Sequence, residues 1–266
     1  MTAANRPFAV VTGAARGIGA AVAERLAADG FDLVLIDAPT GDLAAAVRYP
    51  LGTREQLADV ADNCRSSGGQ VVIAPGDVRD EDSLQAAVSL VPIGCLHVAV
   101  AAAGIIGSDK PAWEFTHDEL SIDLDVNFHG VANLARAAVP RLLIAPEGVG
   151  RFVAIVSTAG EAGLPRLAGY VSSKHAALGY IRSLAADLGP SSVTANAVLP
   201  GSTRTALLER SAKVYGLHSG EDFAPHQRLG RLVQPVEIAA AVSWLCGPGA
   251  TAVTGAAIRV DGGFVA

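Results

Sequence analysis

Tyr170 and Lys174 are four residues apart in Tyr-Val-Ser-Ser-Lys-His-Ala-Ala-Leu-Gly-Tyr-Ile-Arg-Ser-Leu-Ala-Ala-Asp-Leu, a stretch that reads as a helix. That spacing puts both head groups on one helix face. A phenol normally titrates near ~10, too high for acid–base work near neutrality. An ammonium ~4 Å away at an effective dielectric of ~20 contributes ~4 kcal/mol, or about three pKa units. The pair therefore predicts a phenol made acidic enough to give and take a proton. Ser157 follows the apolar, β-branched run Arg151 to Val156, which reads as a strand. Its hydroxyl is expected at the carboxyl end of that strand, where it can hydrogen-bond a substrate oxygen. A Tyr-x-x-x-Lys spacing also arises by chance on helices, so its meaning depends on what surrounds it.

What surrounds it is a nucleotide site. Phe8-Ala-Val-Val-Thr12 reads as a buried strand that opens into Gly13-Ala-Ala-Arg-Gly17-Ile-Gly19, ahead of an alanine-rich helix from Ala20 to about Asp29. Glycines at 13, 17 and 19 allow a tight turn and close approach of the backbone to a pyrophosphate lying on the partly positive helix start. The second strand, Phe31 to Asp37, ends in an acid eighteen residues beyond Gly19. There it can accept from a ribose 2′-hydroxyl and would repel a 2′-phosphate, which predicts NAD over NADP.

Thr12-Gly-Ala-Ala-Arg-Gly-Ile-Gly19 together with Ser157, Tyr170 and Lys174 resembles the short-chain dehydrogenase/reductase family, over nearly the whole chain. The resemblance implies a catalytic set of Ser157, Tyr170, Lys174 and Asn127, the last holding a water that relays protons to Lys174. It implies that Lys174 also holds the nicotinamide ribose and that the cofactor meets Gly13, Arg16, Gly17, Ile18, Gly19, Asp37, Asp77, Val78, Ala103, Gly104, Tyr170, Lys174, Pro200, Gly201, Thr203 and Thr205. The Pro/Gly-punctuated insertion at 38–56, with Asp37-Ala-Pro and Tyr49-Pro-Leu-Gly-Thr, is similar to the carveol-dehydrogenase-like, mycofactocin-associated branch, in which the cofactor can stay bound through turnover. The chain departs from the family at Ala101-Ala102, where an Asn pair usually braces the central sheet, and at Ile18, where the branch often carries Gln.

The rest of the chain alternates strands with helices. Thr53-Arg-Glu-Gln56 and Thr116-His-Asp-Glu119 are capping boxes, the second opening a long helix that runs past Leu142, apolar nearly all round. Such a helix is buried on more than one side, and the family's helix interface then implies a homotetramer. Strands are expected at Gln70–Val78, Leu96–Gly104, Ser192–Gly201 and Ala256–Gly263, with a helix beginning at Pro235. Residues 206–232, mixing Leu, Tyr and Phe with charges, suit a lid over an apolar ligand.

A chain of 266 residues with 50% hydrophobic content can build one large α/β domain, and a formal charge of −6 without a basic run argues against nucleic-acid or anionic-membrane partners. No signal-peptide core and no apolar run of ~18 residues is seen, so a cytoplasmic protein is expected. Cys64, Cys95 and Cys246 are widely spaced and read as reduced thiols; the six histidines show no ligand spacing, so no metal is expected.

The sequence thus predicts a doubly wound, seven-stranded parallel sheet, residues 1–266 forming a single Rossmann-type domain. The expected activity is NAD-dependent hydride transfer with a small, apolar secondary alcohol or ketone. The alternatives are a non-catalytic NAD-binding regulator on the same fold, opposed by the intact Ser/Tyr/Lys set, and an extended-type epimerase or dehydratase, opposed by the chain length and glycine spacing. A methyltransferase on the same sheet would have no use for Tyr170 and Lys174.

Overall fold

The structure is a computed structural model, and it describes residues 6–38, 43, 47, 49–146 and 148–265. Seven strands form one parallel sheet: β1 (Phe8–Thr12), β2 (Asp32–Asp37), β3 (Val71–Pro75), β4 (Leu96–Ala101), β5 (Arg151–Ile155), β6 (Thr194–Pro200) and β7 (Ala257–Val260). Their order is β3-β2-β1-β4-β5-β6-β7. The expected doubly wound sheet is therefore the observed one, with β1 as expected and the other strands trimmed by one to three residues at one or both ends.

The helices are α1 (Gly17–Ala28), α2 (Arg54–Arg65), α3 (Glu81–Ser89), α4 (His117–Leu124), α5 (Gly130–Leu142), α6 (Ala168–Asp187), α7 (Ala206–Val214) and α8 (Pro235–Cys246). Alternation along β1 sends Phe8 and Val10 to a core shared with α3, α5 and α6, and Ala9 and Val11 to a second core shared with α1, α2 and α8. A strand covered on both faces must be apolar at every position, which is why β1 reads as an unbroken run. Both capping boxes form, at Thr53/Gln56 and Thr116/Glu119. No helix is long and apolar enough to cross a membrane among the described residues.

One expectation changes. The long helix from Thr116 is interrupted: Asp125–His129 is a π-helical stretch between α4 and α5. The wider turn centres on Asn127, whose side chain is committed to Ile105 in the loop after β4 and to Ser173 on α6, and π-bulges often mark functional positions. The expected insertion lies partly outside the described residues, 39–42, 44–46 and 48; Tyr49 to Gly52 are described and fold back against the sheet edge.

Because every strand points the same way, the carboxyl ends of β1 to β6 open at one edge. Strand order reverses between β1 and β4, so the loops after them diverge and leave a crevice there.

Candidate active site

One continuous cleft follows that edge, from Asp37 and Gly76 at one end to Tyr215, Phe223 and Phe264 at the other. All the predicted residues except Asn127 line it, including Ser157, Tyr170, Lys174 and Asp37.

Backbone builds the β1 end. Gly13 has φ +66°, and a Cβ on it would stand 2.6 Å from the Ala103 nitrogen; a Cβ on Gly19 would stand 2.0 Å from the Gly13 carbonyl oxygen. No side chain fits at either position, so the loop folds tightly enough to present its amides. α1 opens at Arg16 with no side-chain cap and no acidic residue in its first turn. Its leading N–H groups are left to a ligand, and a phosphate suits them. Asp37 ends β2, and its Oδ2 accepts from the Ala15 nitrogen at 2.8 Å; burial holds this carboxyl above its ordinary value against the opposing pull of Ala15, Ala38 and Arg16. These features fit a dinucleotide: an amide cradle for phosphates and an acid for a ribose. Asp77 and Val78 also line the cleft, but the Asp77 carboxylate already holds Arg79, with Nη2 to Oδ2 at 2.6 Å, so an adenine amine would have to share it. Arg16 reaches over the cleft and donates to the Pro50 carbonyl oxygen at 2.6 Å, tying the insertion across this end.

Where Ala101-Ala102 stand in place of an Asn pair, the loop after β4 is held from β1. Thr12 Oγ1 accepts from the Ala102 and Ala103 nitrogens at 3.2 and 3.4 Å, so β1 itself braces the end of β4.

Asn127 is fully buried behind the cleft wall. Its Oδ1 accepts from the Ile105 nitrogen at 2.8 Å, while Nδ2 donates to the Ile105 carbonyl at 3.0 Å and to Ser173 Oγ at 2.9 Å. The amide thus pairs with Ile105 as a neighbouring peptide would, with both Nδ2 hydrogens engaged and one acceptor position of Oδ1 still open. Its Oδ1 and Lys174 Nζ both lie within 3.4 Å of the place a Cβ on Gly104 would occupy, so it stands beside the lysine without bonding to it.

Ser157 emerges from β5 in extended backbone, accepts from the Ala159 nitrogen at 3.1 Å, and its hydroxyl hydrogen-bonds Tyr170. Tyr170 and Lys174 share the cleft face of α6 as the spacing predicts, Nζ lying 5.7 Å from the centre of the phenol ring. Nζ donates to the Ile155 carbonyl at 3.1 Å.

The predicted acidification of Tyr170 is not observed. Its pKa is pushed up to about 12, by burial first, with the Ser157 hydrogen bond opposing and the charge of Asp123 adding to the rise. Burial also pulls Lys174 down to about 8, against the attraction of Asp123. Desolvation dominates at both groups, whereas the expected acidification assumed a fully charged ammonium in a moderately polar surrounding. At neutral pH the resting phenol holds its proton firmly.

Four residues that spacing did not reveal complete the region. Tyr49, from the insertion, accepts at its hydroxyl from the Ile106 nitrogen at 3.2 Å. Asp123 is fully buried on α4, and its Oδ1 accepts from the Gly107 nitrogen at 3.0 Å. Arg210, buried on α7, donates to the Gly107 carbonyl at 3.2 Å and pairs with Asp109 at 3.3 Å. Phe264 joins the wall from the last residues of the chain, outside the expected lid. Only an acid interrupting an apolar helix face, at Asp123, could have drawn notice from the sequence.

Residues 13–265 match the profile described as enoyl-(acyl carrier protein) reductase. An uncharacterized oxidoreductase of Mycobacterium tuberculosis is 37% identical over 270 residues, covering 97% of this chain and 95% of that protein. A (-)-trans-carveol dehydrogenase of Rhodococcus erythropolis is 32% identical over 269 residues, covering 96% of each. The crystal structure of a carveol dehydrogenase from Mycobacterium avium in complex with NAD superposes with a TM-score of 0.91 at 30% identity, covering 99% of both chains. The chain belongs to the short-chain dehydrogenase/reductase family.

Proposed function

We propose that this protein transfers a hydride between NAD and a small, apolar secondary alcohol or ketone. The observation that carries the reading is the convergence of Ser157, Tyr170 and Lys174 on the same cleft as the glycine cradle and Asp37. A carveol dehydrogenase of the same fold, solved with NAD, supports both the cofactor and the substrate class.

NAD, when bound, supplies the hydride acceptor and a positively charged ring. Gly13, Arg16, Gly17, Ile18 and Gly19 would hold its phosphates, Asp37 a ribose, Asp77 and Val78 the adenine, and Ala103, Gly104, Pro200, Gly201, Thr203 and Thr205 the nicotinamide end. Ser157 orients the substrate oxygen. Tyr170 exchanges that oxygen's proton: it gives the proton as a ketone is reduced and receives it as an alcohol is oxidised. The firmly held phenol proton suits the donating role without further change. Accepting a proton needs positive charge nearby, which Lys174 supplies when protonated and oxidised cofactor adds. Asn127 fixes Ile105 and Ser173, which frame the pair, beside the role in a water relay to Lys174 that the family resemblance implies.

Ile106, Leu164, Leu207, Leu208, Tyr215 and Phe223 form the wall beyond Tyr170, which supports an uncharged ligand and a lid at 206–232. Tyr49, Leu51 and Gly52 line the cofactor side, and with the Arg16–Pro50 tie they favour slow cofactor release, as in the mycofactocin-associated branch. Phe128, His129 and Tyr180 form an aromatic row at the α4–α5 junction, a surface suited to assembly of a homotetramer.

Mass spectrometry of the purified, denatured protein, combined with a panel of secondary alcohols scored by formation of reduced nicotinamide, tests the reading. NAD released on denaturation and turnover of a cyclic secondary alcohol are expected. NADP in its place, or no turnover across the panel with NAD supplied, would overturn it.

A further inference from the structure

We infer that the buried carboxyl of Asp123 is the resident counter-charge of Lys174, and a positioning residue that sets which protonation state Tyr170 holds. The inference rests on Tyr170 and Lys174 being the proton-transferring pair.

Three observations place an acid here with a purpose beyond packing. Asp123 is fully buried, and while Oδ1 takes the Gly107 amide, Oδ2 has no hydrogen-bond partner among the described residues. Such an oxygen is costly unless a charge or dipole compensates it. The oxygen also occupies room that two glycines leave: a Cβ on Gly169 would stand 2.4 Å from Oδ2, and one on Gly107 would stand 3.0 Å from it. Gly169 is the residue before Tyr170, so the carboxyl rests against the backbone that carries the phenol. Finally, α6 begins at Leu167 without a side-chain cap and with no acidic residue in its first turn. Asp123 stands at that turn from another helix, where a negative charge is favoured by the helix dipole.

The charged and titratable groups that face it are Lys174 and Tyr170 on α6, Arg210 on α7 and Tyr49 ahead of α2. On its own helix, Glu119 is engaged by Lys110 and Thr116. Burial pushes the Asp123 carboxyl up to about 7, with Gly107, Lys174 and Arg210 pulling the other way, while Lys174 is drawn down to about 8. Each group's charge pulls on the other's titration, so the two are coupled. Their titration belongs to the set rather than to either residue. When the carboxyl is charged, it keeps Lys174 protonated and opposes loss of the Tyr170 proton; when it is neutral, that opposition is gone. Asp123 thereby favours the phenol as a donor and raises the pH at which it can accept.

The test is the pH dependence of kcat/KM for alcohol oxidation by NAD-loaded enzyme, using the secondary alcohol turned over fastest in the panel. In Asp123→Asn, which keeps an acceptor for the Gly107 amide, the acid limb is expected to move to lower pH by about one unit. A lower rate with the limb unmoved would mean a merely structural residue and would overturn the inference. If Asp123→Asn does not fold, carbon-13 NMR of aspartate-labelled wild type decides: one carboxyl should titrate near neutrality, and at higher pH still in Lys174→Met. Aspartates that all titrate in the ordinary range, or a midpoint indifferent to Lys174, would overturn it equally. Tyr170→Phe separates the two levels: if it stays active, the catalytic assignment itself is wrong, whereas a dead Tyr170→Phe beside an unmoved limb removes Asp123 alone.

Discussion

The glycine loop after β1 and the α6 face after β5 open on one cleft, yet they are built in opposite ways. The first works through absent side chains: Gly13 and Gly19 let the backbone close up, and α1 leaves its amides free. The second works through side chains crowded out of water, where Tyr170, Lys174 and Asp123 each titrate away from their ordinary values. Backbone geometry is a local property of the chain. Electrostatics in a dry site is a property of everything within a few ångströms, whichever element supplies it. The two halves therefore differ in what disables them: steric intrusion in one, loss or displacement of a proton in the other.

The sharpest way to break this contrast is Tyr170→Phe. It should leave NAD binding within about twofold and lower turnover by about 10²- to 10⁴-fold, the usual worth of a positioned acid–base group. Calorimetric titration with NAD and steady-state rates on the same sample measure both, and a variant that loses binding and rate together would join the two halves into one.

The next effect concerns stability. The Asp123 carboxyl sits at about 7 in the fold against an ordinary 3.8. Between those values the folded protein keeps a proton that the unfolded chain has released, so this group costs stability as pH rises through the window, by at most about 1.4 kcal/mol per unit. Asp123→Asn escapes that cost, and its Tm relative to wild type should climb from pH 4 to pH 7. A difference that stays flat across the window would show that the acid is ionised throughout.

At the other end of the cleft, Asp37→Ala should reduce the preference for NAD over NADP by about 10- to 100-fold, the equivalent of one charge-assisted hydrogen bond together with one lost repulsion. Competition between the two nucleotides reads this directly. The smallest effect is expected for Thr12→Val, which strips the acceptor from the Ala102 and Ala103 amides. A cost of about 1–3 kcal/mol is anticipated, seen as a lower denaturant midpoint with an unchanged slope.

Legibility in the sequence followed the same divide. The parallel sheet, both capping boxes and the cofactor cradle were readable because each depends on neighbours a few positions away: Thr53 on Gln56, Gly13 on Gly19. The Tyr170/Lys174 juxtaposition was readable for the same reason. Their charge states were not, because burial by β5 and α4 and the field of Asp123, forty-seven residues before Tyr170, decide them. The bond from the Ala102 amide to Thr12, on the adjoining strand, was not legible either, because it joins residues ninety positions apart. The π-helical stretch at Asn127 was hidden by an apolar pattern that continues through it, since a single wider turn scarcely disturbs a period of 3.6.

Arg210 fixes the geometry of entry to the cleft. By gripping Gly107 and Asp109 it fastens α7 to the loop that Asn127, Tyr49 and Asp123 also hold. A doorway hung on so firm a post cannot swing as a whole. Just after α7, Gly216 takes the left-handed backbone at φ +67° and closes the helix, with the Gly216 and Leu217 amides donating back to the Lys213 and Ala212 carbonyls. The wall nearest Tyr170 is thus held twice, at Arg210 within α7 and by the cap that ends it.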